Sequence, residues 1–279
     1  MRETSEKTET SLPFEELPDA PPRRRFRFSW SGKLGICVVA MWLVLAGIGP
    51  FISPYHEADI LDEALFIVPG SDNPYPETDF QGISKVAYLG TDYLGRDIMS
   101  RILWGARTTI GITLAATLLA YLVGVTLGIA AAVSGGILDM GLSRVNDAFM
   151  SIPHIMMGLI VIAAVGSTIP ILIVLTGLIY ATSVFRIARA LGLEVMVSDF
   201  VEAARVRGEG LWWIITREIL PAVAMPLATD FGLRFVWIIL FISSLSFLGL
   251  GVQPPMSDWG SMVKENLSGR TVSVWTDNR

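Results

Sequence analysis

The sequence predicts an all-α protein, a polytopic transmembrane helical bundle, and three observations carry that expectation. Hydrophobic residues make up 52% of the 279 and charged residues only 17%, with a mean hydropathy of +0.55, whereas soluble domains run near a quarter charged. Uncharged stretches of 22, 31 and 37 residues recur along the chain, and about 20 apolar residues suffice for one helical crossing of a bilayer. Lys and Arg concentrate before the first of those stretches, at Arg23 to Lys33, and after the last, at Arg186 to Arg217, as expected of polar segments on one side of a membrane.

The elements follow in order. Residues 1–32 form a predicted disordered cytoplasmic tail. Its first 20 residues carry six acids against Arg2 and Lys7, with little apolar content to drive burial. Pro21 and Pro22 then introduce Arg23, Arg24, Arg25 and Arg27, with Lys33 beyond, a cluster that reads as the inner anchor of a first spanning helix rather than as a cleavable signal. That first transmembrane helix is placed at residues 33–55. Residues 56–107 are read as an external loop with an interfacial helix, in which Asp97 and Arg101, one turn apart beside Ile98, Ile102 and Leu103, form either a solvated charged face or a contact for a soluble external partner protein. Residues 108–252 hold four further spans. The second runs from Thr108 to about Val133. The uncharged run from Phe149 to Phe185 would be about 55 Å long as one helix, too long for one crossing, and Gly166-Ser167-Thr168 with Pro170 splits it into a hairpin of spans three and four. The fifth span is placed at Pro221–Phe247. Residues 253–279 turn polar, and no window there is apolar enough for a sixth.

Between spans four and five lies DFVEAARVRGEGLWWIITREILPA, residues 199–222, with seven charges inside an otherwise greasy chain. Asp199 and Glu202 have the spacing of a capping box. The reading is a short helix from Phe200 to Arg207, a break at Gly208 and Gly210, and a second helix from Leu211 with Leu211, Trp212, Ile215 and Ile219 as its apolar stripe. Such a segment is either an interfacial connector or a helix that docks into a groove on a soluble partner. Two charges fall inside span five. Asp230 and Arg234 stand one turn apart where a lone charge costs at least ~2.5 kcal/mol, so they form either a self-neutralising pair facing protein or part of a translocation path.

Several classes are disfavoured. A net charge of -5 gives no reason to expect nucleic acid as a partner. One cysteine, Cys37, and two distant histidines, His56 and His154, offer neither a disulfide framework nor metal-ligand spacing. No catalytic constellation is evident, and the phosphate-loop pattern G-x-x-x-x-G-K-[ST] does not occur in these residues.

Glu202-Ala203-Ala204, then three residues, Gly208, and Ile219-Leu220-Pro221 resemble the EAA signature of binding-protein-dependent ABC transporter permeases. LGTDYLGRDIMSRILWGART (89–108), DAFMSIP (147–153) and LSFLGLGVQPPMSDWGSM (245–262) are similar to segments of the dipeptide, oligopeptide and nickel subgroup, in the same order. The resemblance implies a type I ABC importer permease fold in a prokaryotic inner membrane, with the N-terminus cytoplasmic. It assigns ATPase coupling to Glu202, Ala203, Ala204, Gly208, Leu220 and Pro221. It also implies a second homologous permease, two ATPase subunits or domains that use the ATP, an external solute-binding protein and surrounding lipid as partners, with no cofactor on this chain. Peptides lead the substrate expectation, ahead of nickel complexes and short saccharides. This sequence departs from the pattern in having five predicted spans where the family has six, read as a truncation near Leu267, and in Ile242, where the subgroup often carries Glu. A channel or secondary transporter, or a non-transporting membrane anchor, is the alternative; co-purification of an ATPase separates them.

Overall fold

The computed structural model describes residues 30–61 and 88–276. Among them are nine α-helices and one π-helical turn, with only two isolated β-bridges. Two compact units divide the chain, Met1–Val39 and Ala40–Arg279. The first contributes the opening turns of α1 (Trp30–Ile52), which are apolar and exposed. Residues 1–29 of the predicted tail, with its arginine cluster, lie outside the described residues, and α1 begins at Trp30, inside the tail's expected bounds.

In the second unit, α2 (Ile98–Ser134) is a continuous helix of 37 residues. At ~1.5 Å per residue it exceeds a bilayer's ~30 Å hydrocarbon core by several turns. The separate interfacial helix expected before span two is therefore the first three turns of α2. Nothing between Ile98 and Thr108 interrupts a helix except Gly105, and there the missing side chain lets the Trp259 ring lie within 3.2 Å of where a Cβ would sit. Asp97 starts α2 by accepting from the Ser100 amide at 2.7 Å.

Span three also differs from expectation. α3 (Gly136–Met150) and α4 (His154–Val165) are two pieces bent by 80°. Pro153 lacks an N–H and disfavours helical backbone in the residue before it, which ends α3 and re-aims the chain. With 12 residues, α4 is too short to cross alone. The predicted hairpin turn is present: Gly166 has φ +91° and Pro170 lies in the first turn of α5 (Ile169–Met196). α6 (Asp199–Val206), α7 (Leu211–Ile214), the π turn Ile215–Ile219, α8 (Leu220–Phe247) and α9 (Trp259–Thr276) complete the order. Among the described residues, four helical stretches are long and apolar enough to span, α1, α2, α5 and Leu211–Phe247; the bent α3–α4 pair makes five if it counts as one span. The third span therefore differs from the straight helix expected.

The core rests on α2 against α5. Small residues on both sides let the backbones approach, the usual basis of helix association in lipid. A Cβ on Gly124 would lie 2.6 Å from Val184 Cβ, and one on Gly128 2.7 Å from the Phe185 carbonyl oxygen. α8 packs across this pair, with Ile238, Phe241, Ile242 and Leu245 meeting Ile112, Ala116, Tyr180 and Val184. Ile242 is thus a core residue.

Candidate functional site

The charged segment folds as an elbow. α6 ends in a Schellman motif: Gly208, at φ +83°, donates its N–H to the Arg205 carbonyl at 2.9 Å, and Glu209 donates to the Ala204 carbonyl at 3.2 Å. Val201 and Ala204 are fully buried against Ile129 of α2, Ala188 of α5 and Ile214, Ile219 and Val223. Glu202, Ala203 and Gly208 stay exposed, as do Leu220 and Pro221 at the start of α8. One side of α6 therefore anchors the elbow while the other is presented outward. Arg207 braces the bend, 3.9 Å from the Glu218 carboxylate and 5.8 Å from the centre of the Trp213 ring.

Two expectations for this segment are corrected. The capping box between Asp199 and Glu202 does not form. Ser198 is the N-cap and turns its hydroxyl back to the Val195 carbonyl at 2.5 Å. Asp199 thus becomes the first helical residue, where its charge complements the helix dipole. The apolar stripe is also displaced. Leu211 and Trp212 are exposed, while Ile214, Ile219, Val223 and Leu227 are buried. Their 5, 4, 4 spacing is the signature of a π turn at Ile215–Ile219, which holds one more residue than an α turn and so rotates the face.

Asp230 and Arg234 do pair, the Arg234 Nε lying 3.3 Å from Asp230 Oδ2. The sequence reading missed Tyr121 of α2, whose hydroxyl donates to the same oxygen at 2.6 Å. Tyr121 also stacks edge-on against Phe231 at 5.0 Å, which ties α2 to the middle of α8.

At the end of the bundle where α2 begins, the pairing of Asp97 and Arg101 as a solvated face is overturned. Arg101 is 1% exposed, Asp97 2% and Asp92 0%. The Arg101 guanidinium bonds Asp92, Glu265 of α9 at 2.8 Å and Ser257 at 3.1 Å. Arg96 bonds the same two carboxylates at 2.8 and 2.7 Å. Asp97 is occupied with the cap of α2, and Asp258 caps α9 in the same way through Gly260 and Ser261. Asp92 also draws in the Leu94 and Arg96 amides, so LGTDYLGRD winds around one carboxylate. The mix of acids, glycines and arginines in that stretch was a usable signal. Its partner Glu265, more than 160 residues away, was not.

Apolar helices crossing a membrane, a polar elbow leading into one of them and a charged pair in its interior define a multi-pass membrane transport component. The chain belongs to the family of binding-protein-dependent transport system inner membrane components, whose model matches residues 124–275. It is 34% identical to a glutathione transport system permease protein of Pectobacterium atrosepticum over 69% of this chain and 64% of that one. It is 32% identical to a peptide transport system permease protein of Brucella suis over 98% of this chain and 87% of that one. A dipeptide transport system permease protein of Alkalihalophilus pseudofirmus is 28% identical over 92% of this chain and 81% of its own length.

Proposed function

We propose that this chain is the transmembrane permease subunit of an ATP-driven importer for peptides or similar small solutes. ATP is hydrolysed on separate ATPase subunits or domains, which dock on the elbow through Glu202, Ala203, Gly208, Leu220 and Pro221, with Ala204 as its buried anchor. A second homologous permease completes the path, and a solute-binding protein delivers the solute from outside; the N-terminus is cytoplasmic. Asp230 and Arg234 belong to the path. The observation that carries this reading is the elbow itself. It is rooted by Val201, Ala204, Ile214 and Ile219 in the α2–α5 frame, and its α7 end runs through the π turn directly into α8. A push on its outward side is therefore delivered to a spanning helix. The relatives named for peptide, dipeptide and glutathione transport support the solute class.

The test is purification of the full chain from its native membrane in mild detergent. An ATPase is expected to co-purify, and peptide uptake by vesicles is expected to need both ATP and the binding protein. A chain that carries no ATPase and moves solute on an ion gradient overturns the proposal in favour of a secondary transporter.

A further inference from the structure

Arg234 has more hydrogen-bonding capacity than its surroundings use. A guanidinium carries five N–H donors. Only Nε is engaged, singly, on Asp230 Oδ2 at 3.3 Å, and the two terminal nitrogens meet no acceptor among the described residues. A pair built only to cancel its charges would use the guanidinium fork, with two parallel bonds to one carboxylate. Here the shared oxygen is held from the other side by the Tyr121 hydroxyl at 2.6 Å, and the fork is left open. The side chain is 20% exposed, against 11% for Asp230. Both lie near the middle of α8, where hydrocarbon offers nothing to replace a missing acceptor.

The neighbourhood is polar at the same depth. Tyr180 of α5 donates to the Trp237 carbonyl at 3.2 Å, and His154 stacks on Tyr180 at 5.3 Å. Asp230 thus ties α2 to α8 beside a guanidinium whose open edge is planar and matched to a carboxylate.

We propose that Arg234 binds the carboxylate of the transported solute, with Asp230 and Tyr121 positioning the guanidinium and balancing its charge while the path is empty. This rests on the importer reading and names its solute chemistry: small molecules with a free carboxylate, such as peptides with an unblocked C-terminus.

The test uses the assembled importer in membrane vesicles, with Cys37→Ser as background and Phe231→Cys as a reporter one turn from Arg234. Its labelling rates with an anionic sulfonatoethyl and a cationic trimethylammonium-ethyl methanethiosulfonate are compared. Beside an open guanidinium the anionic reagent should react roughly tenfold faster, as expected for a charge-focused cleft. Arg234→Gln should abolish the preference, and triglycine should slow labelling where triglycine amide does not. Arg234→Lys should keep the preference for the anion but lose the distinction between acid and amide. A second reporter, His154→Cys, is read in the same way if Phe231→Cys fails to assemble. Labelling by neither reagent at either position overturns the proposal, since the pair is then sealed by lipid or protein. So does a preference unchanged by Arg234→Gln, or equal protection by triglycine and its amide. ATPase co-purification and ATP-dependent uptake from the same preparation report separately on the importer reading.

Discussion

Arg101 is held between the carboxylates of Asp92 and Glu265, with Ser257 on its Nε, and water scarcely reaches it. Removing one member of such a network leaves its partners charged and buried, a loss of about 3–5 kcal/mol. Arg101→Ala is therefore expected to lower the melting temperature of the detergent-solubilised protein sharply. Arg107→Ala, an exposed arginine in the same stretch, should stay within about 0.5 kcal/mol of the parent. Equal melting temperatures for the two variants would remove the network from any account of stability. Gly208 poses the opposite problem. Nothing lies within 4 Å of where its Cβ would be, so space is not the constraint. The constraint is φ +83°, which costs an ordinary residue about 1–2 kcal/mol and a β-branched one more. Gly208→Val should bend the Schellman motif and reduce ATPase recovery in a pull-down. Gly208→Asn, which tolerates left-handed backbone, should recover nearly as much as the parent. Full recovery with valine would show that the elbow's conformation is not what the ATPase reads.

Among the elements, the π turn decides how the elbow sits. Inserting one alanine after Thr216 would place Ile214 and Ile219 six positions apart and turn everything before the insertion by ~100° relative to α8. Ile214 would then leave the cluster it shares with Ile219 and Val223. The variant should still insert in the membrane, yet its elbow should be cut faster by protease in inside-out vesicles and should recover less ATPase. Unchanged cleavage and recovery would mean that the rotation is absorbed elsewhere. This turn also marks where the sequence stopped being legible. Gly166 with Pro170 and the Gly208 break are signals written within a few residues, and the turns they mark stand where they were expected. A π turn has no composition signature of its own, so a 3.6-residue stripe through Leu211 and Trp212 was the natural expectation and put the wrong face inward. Likewise Asp199 and Glu202 have capping-box spacing, but the two-residue link after α5 made Ser198 the cap. Tyr121 and Glu265 were unreadable for a plainer reason, since their partners lie over 100 residues away and depend on how the helices pack.

At the scale of the whole molecule, one continuous helical stretch, Leu211–Phe247, links the elbow to the charged pair. It starts with α7 of the elbow, enters α8 through the π turn, passes Asp230 and Arg234 at mid-span and ends at Phe247; further along the chain α9 is pinned to the start of α2 by Glu265. The α2–α5 frame is close-packed around Gly124 and Gly128 and has little room to give. Displacement of the elbow is therefore expected to be taken up by α8, which meets the frame at mid-span through the Tyr121–Asp230 bond. Exchanging the charges, Asp230→Arg with Arg234→Asp, keeps the net charge and the one-turn spacing, so insertion and assembly should survive. It also puts a cation against the Tyr121 hydroxyl, which can no longer donate there, and moves the guanidinium about 6 Å along the helix axis. Uptake in vesicles should fall by at least about tenfold, some 1.4 kcal/mol in the rate-limiting step, while a pull-down still recovers the complete complex. Adding Tyr121→Phe to the swap should cost little more, because the bond it removes is already broken, whereas Tyr121→Phe alone should slow uptake measurably. A swapped protein that assembles and transports like the parent would confine the pair to charge cancellation, and the mid-span link between α2 and α8 would have no part in transport.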